Sequence, residues 1–378
     1  MIRRNRLLDL MRSVLSYPTA PFHEHQVLQA LYAHARALGL PAAADRWGNL
    51  HVRYRRGRRP PWILLAHADH PGFFVTRTSR HTAYARWFGR VAAEYFVGRP
   101  VLLHHPLPGV QQRPLRGEVR AIRCRGERVT EIRIATQQPV VPGWIGSWDL
   151  PACRISGDRI AARAADDLVG CALLAALLES LVQESALAAV DVVYTRAEEA
   201  GLLGAAELAR SRSVPTGAPV LSLEASPERA GVKLGAGVIV RLGDRFSSFD
   251  PLLLDRITVL AAHLDSSRPR FRFRRALMDG GTCEATPFAA FGYRAAGLAV
   301  PLRNYHNMGR HDVAAERVQV SDLTAALALL VALAHTRPPT PDAPLSTRAQ
   351  VRRQLRGAGP RLRRSALAPA PWPARSEE

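Results

Sequence analysis

The sequence predicts an α/β fold in which helices cover both faces of a central mixed sheet, with a small inserted all-β domain. First, short apolar runs typical of buried strands alternate with helix-like segments along much of the chain. Second, between about Phe73 and Ile155 this alternation gives way to short β-like pieces separated by Gly, Pro and Arg turns. Third, 378 residues that are 47% apolar can bury a core of this size.

The N-terminal part predicts two helices followed by two buried strands. Residues 5–16 and 23–38 read as helices, and prolines separate the two segments. The apolar runs 50–54 and 62–66 are short and continuous, as in strands that are covered on both faces.

After the insert the alternation resumes, and it ends before a tail rich in Pro and Arg. We expect a helix at 168–182, a strand at 189–195, a helix at 202–209, strands at 220–223 and 296–302, and a helix at 321–334. We therefore assign residues 1–75 and 155–336 to the α/β domain, 76–154 to the β insert and 337–378 to a disordered tail.

The charge of the chain does not indicate a nucleic-acid-binding protein. The formal net charge is +20, but Lys233 is the only lysine and the arginines are spread along the whole sequence. Nucleic-acid binding needs clustered basic residues, ideally interleaved with aromatic ones, and neither pattern occurs. We expect no nucleic-acid partner.

No membrane partner is expected either. The longest apolar stretch, 325–334, has half the length of a membrane-spanning helix, and no secretory signal is visible. The four cysteines lack the spacing of a disulfide framework or a CxxC zinc site. These observations predict a cytoplasmic protein.

Potential metal ligands follow the predicted buried strands, at the point where each strand ends. They are His67 and Asp69, Glu198 and Glu199, Glu224 and His306, with Asp166 at the start of the helix 168–182. Open α/β sheets bind ligands at the carboxyl ends of their strands, so we expect these side chains to converge. Imidazole and carboxylate groups together suit Zn²⁺, Co²⁺ or Mn²⁺.

Each of these residues also has a purely structural interpretation. A lone histidine after a strand is more often a hydrogen-bonded structural residue. Asp166 and Asp167 could cap the helix that follows them, and Glu198 and Glu199 could lie in a solvated turn. The functional interpretation therefore depends on the joint placement of all these side chains at one edge of the sheet.

Several motifs occur in an order that resembles a known peptidase family. The main motifs are 67–69, 165–171, 195–205 and 300–306, and the supporting ones are 18–24, 45–50, 234–237 and 280–282. On these residues the sequence resembles the glutamyl-aminopeptidase-like, or tetrahedral aminopeptidase, family of dinuclear metallopeptidases. The resemblance covers about residues 5–335. It implies a zinc-peptidase-like fold whose β insert serves oligomerisation and substrate access.

The resemblance also implies a metal centre. Asp166 would bridge two divalent cations, which could be Zn²⁺, Co²⁺ or Mn²⁺. His67 and Glu224 would complete the ligands of one cation, and Glu199 and His306 those of the other.

Two further roles and two departures follow from the same resemblance. Glu198 would be the general base, and Asp69 the carboxylate that orients the His67 ring. The family usually has Glu where this chain has His70 and Asp where it has Cys283. The substrate preference is therefore less constrained by the resemblance than the metal centre is.

We predict a metal-dependent aminopeptidase that hydrolyses N-terminal residues of peptides through a dinuclear metal-activated water, as a homo-oligomer assembled through the β insert. The alternative is an amidohydrolase or deacylase that acts on N-acyl amino acids or other small amides with the same metal centre. A catalytically silent scaffold or nucleic-acid binder is a third interpretation, and the intact ligand set argues against it.

Overall fold

A computed structural model describes residues 1–106 and 113–356, together with Arg361 and Arg364. The helices of these residues are α1 (Arg4–Ser16), α2 (His25–Ala37), α3 (Leu168–Gln183), α4 (Leu203–Arg210), α5 (Pro251–Ser267), α6 (Ala285–Ala290), α7 (Val320–Ala334) and α8 (Thr347–Leu355). The strands are β1 (Ala42–Ala44), β2 (Leu50–Arg55), β3 (Trp62–His67), β4 (Gly72–Ser79), β5 (Thr82–Phe88), β6 (Pro100–His104), β7 (Leu115–Arg125), β8 (Arg128–Thr136), β9 (Ile145–Trp148), β10 (Cys153–Ser156), β11 (Arg159–Ala162), β12 (Ala189–Thr195), β13 (Val220–Pro227), β14 (Val238–Asp244), β15 (Phe273–Met278), β16 (Ala295–Leu302) and β17 (Glu316–Gln319).

Eight strands form a large mixed sheet in the order β1-β2-β12-β3-β13-β16-β14-β15. Strands β12, β3, β13 and β16 run parallel to one another, so their carboxyl ends lie at the same edge. Strand β2 is antiparallel to β12, and β14 is antiparallel to β16. Strands β3 and β12 are buried along their whole length, as parallel strands covered on both faces must be.

Helices pack on this sheet in two groups, which confirms the predicted fold class. Helix α3 is buried almost all round, packs against α7 and contacts β3 and β13. Its N-terminus is capped by Asp167, whose side chain accepts the N–H of Gly170 at 3.2 Å. Helix α4 packs against α6, which contacts β13 and β16.

Strands β4 to β9 form a closed barrel in the order β4-β5-β8-β7-β6-β9. The barrel has its own apolar core, in which the rings of Trp87 and Phe96 lie 4.8 Å apart and those of Trp87 and Trp148 lie 5.0 Å apart. It begins at Gly72, slightly before the predicted start of the insert at residue 76. A further sheet joins β10, β11 and β17 in an antiparallel arrangement.

Two regions differ from the sequence-based expectation in ways that matter for the site. The predicted strand 220–223 extends to Pro227, so Glu224 lies within β13, beside Ala299 of β16, and not after the strand. The region between residues 238 and 278, where no element was predicted, contains β14, α5 and β15.

The predicted tail 337–378 lies partly outside the described residues. In its described part, helix α8 was not expected, and this helix buries none of its residues. Apart from Arg361 and Arg364, the prediction for residues beyond 356 falls on residues that the structure does not describe. Among the described residues, no helix is both long and apolar enough to cross a membrane.

Candidate metal centre

The parallel strands place the predicted site residues at one edge of the large sheet. The structure brings together His67 at the end of β3, Glu198 and Glu199 after β12, Glu224 within β13, His306 after β16, and Asp166 before α3. The edge forms because four neighbouring strands share one direction, which is the arrangement that creates ligand sites in α/β sheets.

Two groups of three side chains bring their potential ligand atoms within 4.8 Å of one another. The first group is His67, Asp166 and Glu224, and the second is Asp166, Glu199 and His306. Asp166 belongs to both groups, because its Oδ1 lies 3.5 Å from Nε2 of His67 and its Oδ2 lies 3.8 Å from Nε2 of His306. This arrangement suits two cations that share one bridging carboxylate.

Backbone carbonyl groups orient both histidine rings. Nδ1 of His67 lies 3.2 Å from the carbonyl oxygen of Asp69, and Nδ1 of His306 lies 2.8 Å from that of Arg90. A carbonyl oxygen can only accept, so each Nδ1 donates and each Nε2 faces the carboxylates, where it can bind a cation once it has lost its proton. The carbonyl of Arg90 belongs to the segment that follows barrel strand β5, so the barrel contributes to the geometry of the site.

The Asp69 carboxylate holds the two glutamates that follow β12. Its Oδ1 accepts the backbone N–H of Glu198 and its Oδ2 that of Glu199, both at 3.0 Å. The same carboxylate lies 3.6 Å from Nδ1 of His67, which is longer than a hydrogen bond. In this structure Asp69 therefore bonds to the His67 ring through its backbone carbonyl, and its side chain positions Glu198 and Glu199.

The site concentrates ionisable groups away from water. Burial raises the pKa of Glu198 well above its usual range, and the charges of Glu199 and Glu224 raise it further while His67 opposes them. Burial alone would lower the pKa of His306, but the Glu199 carboxylate, with Oε1 2.9 Å from Nε2, outweighs this effect and raises it to about 9. The clustered carboxylates make the site attractive to cations.

Three buried atoms of the site form no hydrogen bond of acceptable geometry among the described residues, although two of them, Oε1 of Glu199 and Nε2 of His306, lie 2.9 Å apart. They are Oδ1 of Asp166, Oε1 of Glu199 and Nε2 of His306. Such atoms are uncommon in folded proteins, since leaving a buried polar atom unpaired costs free energy. Imidazole nitrogens and carboxylate oxygens in this combination are ligands for Zn²⁺, Co²⁺ or Mn²⁺. The residues present therefore fit divalent cations.

A cleft that contains two arginines opens beside the two groups. Its lining includes Glu198, Glu224, Arg229, Arg241 and Tyr305. The Arg241 side chain is buried, and its Nε has no hydrogen-bond partner among the described residues. The cleft therefore places guanidinium groups close to the carboxylates of the candidate metal centre.

One supporting residue was not recognised as part of the site from the sequence. Glu24 is fully buried, and its Oε1 accepts the N–H groups of Phe22 and Ala197 at 2.8 and 3.0 Å. Its Oε2 accepts from Nε of Arg196 at 2.6 Å. Glu24 thus fixes the segment that leads to Glu198. The sequence feature that could have identified Glu24 is its place in the motif 18–24, which carries part of the family resemblance.

Comparison with known proteins places the chain in a family. A model of the M42 glutamyl aminopeptidase family matches residues 129–329, which is more than half of the chain. The chain belongs to this family. The identification made from the sequence motifs is thereby confirmed, and the M42 assignment makes the protein a peptide-bond hydrolase. Peptidases of the M42 family are metal-dependent.

Solved structures of aminopeptidases share the fold. An aminopeptidase from the archaeon Desulfurococcus kamchatkensis superposes with a TM-score of 0.71 at 21% identity, over 88% of this chain and 95% of the other. The TET1 peptidase of Pyrococcus horikoshii superposes with a TM-score of 0.70 at 19% identity, over 87% of this chain and 99% of the other. A TET aminopeptidase from the marine-sediment archaeon Thaumarchaeota archaeon SCGC AB-539-E09 superposes with a TM-score of 0.74 at 16% identity, over 88% of this chain and 96% of the other.

Both departures from the M42 pattern are buried beside the candidate ligands. His70 lies with Nδ1 2.6 Å from the carbonyl oxygen of Asp166 and Nε2 3.1 Å from Oδ1 of Asn307, so it links the backbone of Asp166 to the side chain of the residue that follows His306. Cys283 is fully buried, and burial raises the pKa of its thiol to about 12. At neutral pH this cysteine is therefore an uncharged thiol where the family usually has a carboxylate.

Proposed function

We propose that this M42 peptidase is an aminopeptidase with a dinuclear metal centre. The observation that carries the proposal is the pair of side-chain groups that share Asp166. His67 and Glu224 would hold one cation, Glu199 and His306 the other, and Asp166 both. Two bound divalent cations would acidify a water molecule and polarise the scissile carbonyl group.

Glu198 would transfer the proton. It lies at the site but in neither ligand group, and its Oε2 is 4.0 Å from Nε2 of His67. The backbone N–H of Glu198 donates to the Asp69 carboxylate, and this bond limits the positions that the Glu198 side chain can reach. Glu198 would accept a proton from the attacking water and deliver it to the leaving amine. Burial raises the pKa of Glu198, which makes its carboxylate a stronger base.

The cleft favours an acidic first residue in the substrate. Arg241 is 3% exposed and donates to Oγ of Ser226 at 3.3 Å, while the carboxylates of Glu224 and Asp244 act on it only through longer-range charge interactions. A substrate carboxylate that reached Arg241 would give this buried guanidinium a direct ion-pair partner, which would favour an acidic residue. Arg229 also lines the cleft, although it pairs with Asp279. We infer a preference for N-terminal Glu or Asp.

Substrate panels test both the reaction and the preference. After chelation and reloading with Zn²⁺, Co²⁺ or Mn²⁺, the protein should hydrolyse anilides of free Glu and Asp faster than those of Ala and Leu. N-acetylglutamyl anilide should not be cleaved, whereas the alternative deacylase function requires that N-acylated substrates are preferred. Metal-independent hydrolysis, or no hydrolysis with any metal, would contradict the proposal.

A variant separates the role of the cleft from that of the metal centre. We expect Arg241→Met to reduce the preference for Glu over Leu by roughly 10–100-fold, because a charge-assisted hydrogen bond to the substrate is lost. Arg210→Met, on the exposed side of α4, is the matched control and should leave the preference unchanged. If Arg241→Met keeps the wild-type preference, the cleft does not select an acidic residue.

We also infer a cytoplasmic homo-oligomer assembled through the β insert, residues 76–154. The TET1 peptidase of Pyrococcus horikoshii can assemble into a tetrahedron or a large octahedral shell. The barrel has a separate core, so it can present a surface for association without disturbing the large sheet. Sedimentation at micromolar concentration should show an oligomer, and a monomer would contradict this part of the proposal.

A further inference from the structure

One buried carboxylate outside the two ligand groups bonds to the backbone of both. Glu316 is fully buried. Its Oε2 accepts the N–H groups of Ala165 and Asp166 at 2.7 and 3.0 Å, and its Oε1 accepts the N–H of His306 at 2.8 Å. Both oxygens are therefore occupied by main-chain donors, and the side chain belongs to neither ligand group.

Strand pairing explains this position. Glu316 begins β17 and lies opposite Ala162, the last residue of β11, from which the chain runs directly to Asp166. The next residue of β17, Arg317, exchanges two backbone hydrogen bonds of 3.0 Å with Arg303. From Arg303 the chain runs directly to His306. The carboxylate thus lies where the two ligand-bearing segments meet.

The segment that carries His306 needs such an anchor. Asn304, His306 and Asn307 all have positive φ values, of 60°, 54° and 61°. Asn tolerates the left-handed region, but this region is unfavourable for His306, so tertiary contacts must hold the turn in place there. The bond from His306 N–H to Glu316 is one of these contacts, and it fixes the backbone from which the imidazole extends.

We propose that Glu316 is a positioning residue that sets the distance between Asp166 and His306 and thereby the metal affinity of the centre. The inference rests on the proposed metal centre. Glu316 acts through the backbone of the ligands and does not contact the cation itself. A glutamine at this position offers one acceptor oxygen and an NH₂ group that cannot accept, so at least one of the three bonds is lost.

Competition with a chromophoric chelator, with Zn²⁺ alone as the probe, tests this role in the full-length protein. We expect Glu316→Gln to weaken Zn²⁺ binding about 10–100-fold, as is typical when a partner of a metal ligand is removed. The matched control is Asp322→Asn. Asp322 is another fully buried carboxylate that accepts two backbone N–H groups, from Gly235 and Gly237, but it bonds to no candidate ligand.

Both variants should lower the melting temperature of the metal-free protein, and only Glu316→Gln should lower the Zn²⁺ affinity. If Glu316→Gln does not fold, Glu316→Asp replaces it, since it keeps the charge but is shorter by one methylene. If the Glu316 variant binds Zn²⁺ with wild-type affinity, or if Asp322→Asn loses as much Zn²⁺ affinity, the role of Glu316 is wrong but the proposed metal centre still stands. A wild-type protein that binds no Zn²⁺ overturns the proposed metal centre and this inference with it.

Discussion

Replacing Glu198 with Gln tests the proposed mechanism most directly. Glutamine keeps the size and hydrogen-bonding shape of the side chain but cannot accept a proton. Glu198 lies in neither ligand group, and its Oε2 is 4.0 Å from Nε2 of His67, so no metal ligand is removed. Its backbone N–H still donates to Asp69, which keeps the strand end in place. We therefore expect normal metal content and a slow enzyme.

The size of the effect follows from the role of the group. General acid–base catalysis contributes typically about 10²–10⁴-fold, so kcat should fall by that factor. This loss corresponds to about 3–5 kcal/mol of activation free energy. Glu199→Gln is the contrasting change, because Oε1 of Glu199 is 2.9 Å from Nε2 of His306 and belongs to the second ligand group. It should weaken metal binding first, and excess metal should partly restore its activity.

Two measurements on each variant decide the assignment. Metal content is determined by elemental analysis of the purified protein, and kcat is measured on a glutamyl anilide at increasing metal concentration. If Glu198→Gln loses its metal while Glu199→Gln keeps it, the roles of the two residues are reversed. If both variants remain fully active, the mechanism proposed for this site is wrong.

Three further predictions concern stability. Leu177→Ala, at a fully buried position of helix α3, should lower the free energy of unfolding by about 2–5 kcal/mol in urea titrations, and Leu203→Ala, at an exposed position, by less than about 0.5 kcal/mol. Deleting residues 340–378 should leave activity and melting temperature nearly unchanged, because α8 buries none of its residues and the hydrogen bonds of Ser346 to Asp255 are exposed; a clear fall in either would show that this segment stabilises the fold. Burial and the charge of Arg163 lower the pKa of His104 to about 3, so the folded state leaves this ring neutral while the unfolded chain protonates it below about pH 6.5. Stability should therefore fall as the pH drops below that value, and melting curves of His104→Gln should fall less steeply between about pH 6.5 and 4.5; parallel curves would exclude this role.

The architecture was largely predictable because burial leaves a pattern in the sequence. Strand β3 is apolar up to His67 and helix α3 is apolar over residues 168–178, and the structure buries these stretches as expected. The missed helix α5 also carried a signal, since Asp250 caps it and Pro251 occupies its first turn. Strand β15 carried a weaker sequence signal, because it is an edge strand in which only Met278 is buried.

The chemical nature of the site was also predictable, but its exact construction was not. His67, Asp166, Glu199 and the other candidate ligands occur next to predicted strands and helices, and parallel strands necessarily end at one edge. The position of Glu224 within β13 depended on how far that strand pairs with β16, which its own residues do not specify.

By itself, the sequence determined the fold class, the set of potential ligand side chains and the family, since each depends on residue type and on order along the chain. Only the tertiary structure decided how the ligands are held. The ring of His306 is oriented by the carbonyl of Arg90, 216 positions away, and its backbone by Glu316. A backbone carbonyl is the same at every residue, and a buried carboxylate acquires its partners only when distant segments meet. Neither contact therefore leaves a pattern that could be read before the chain folds.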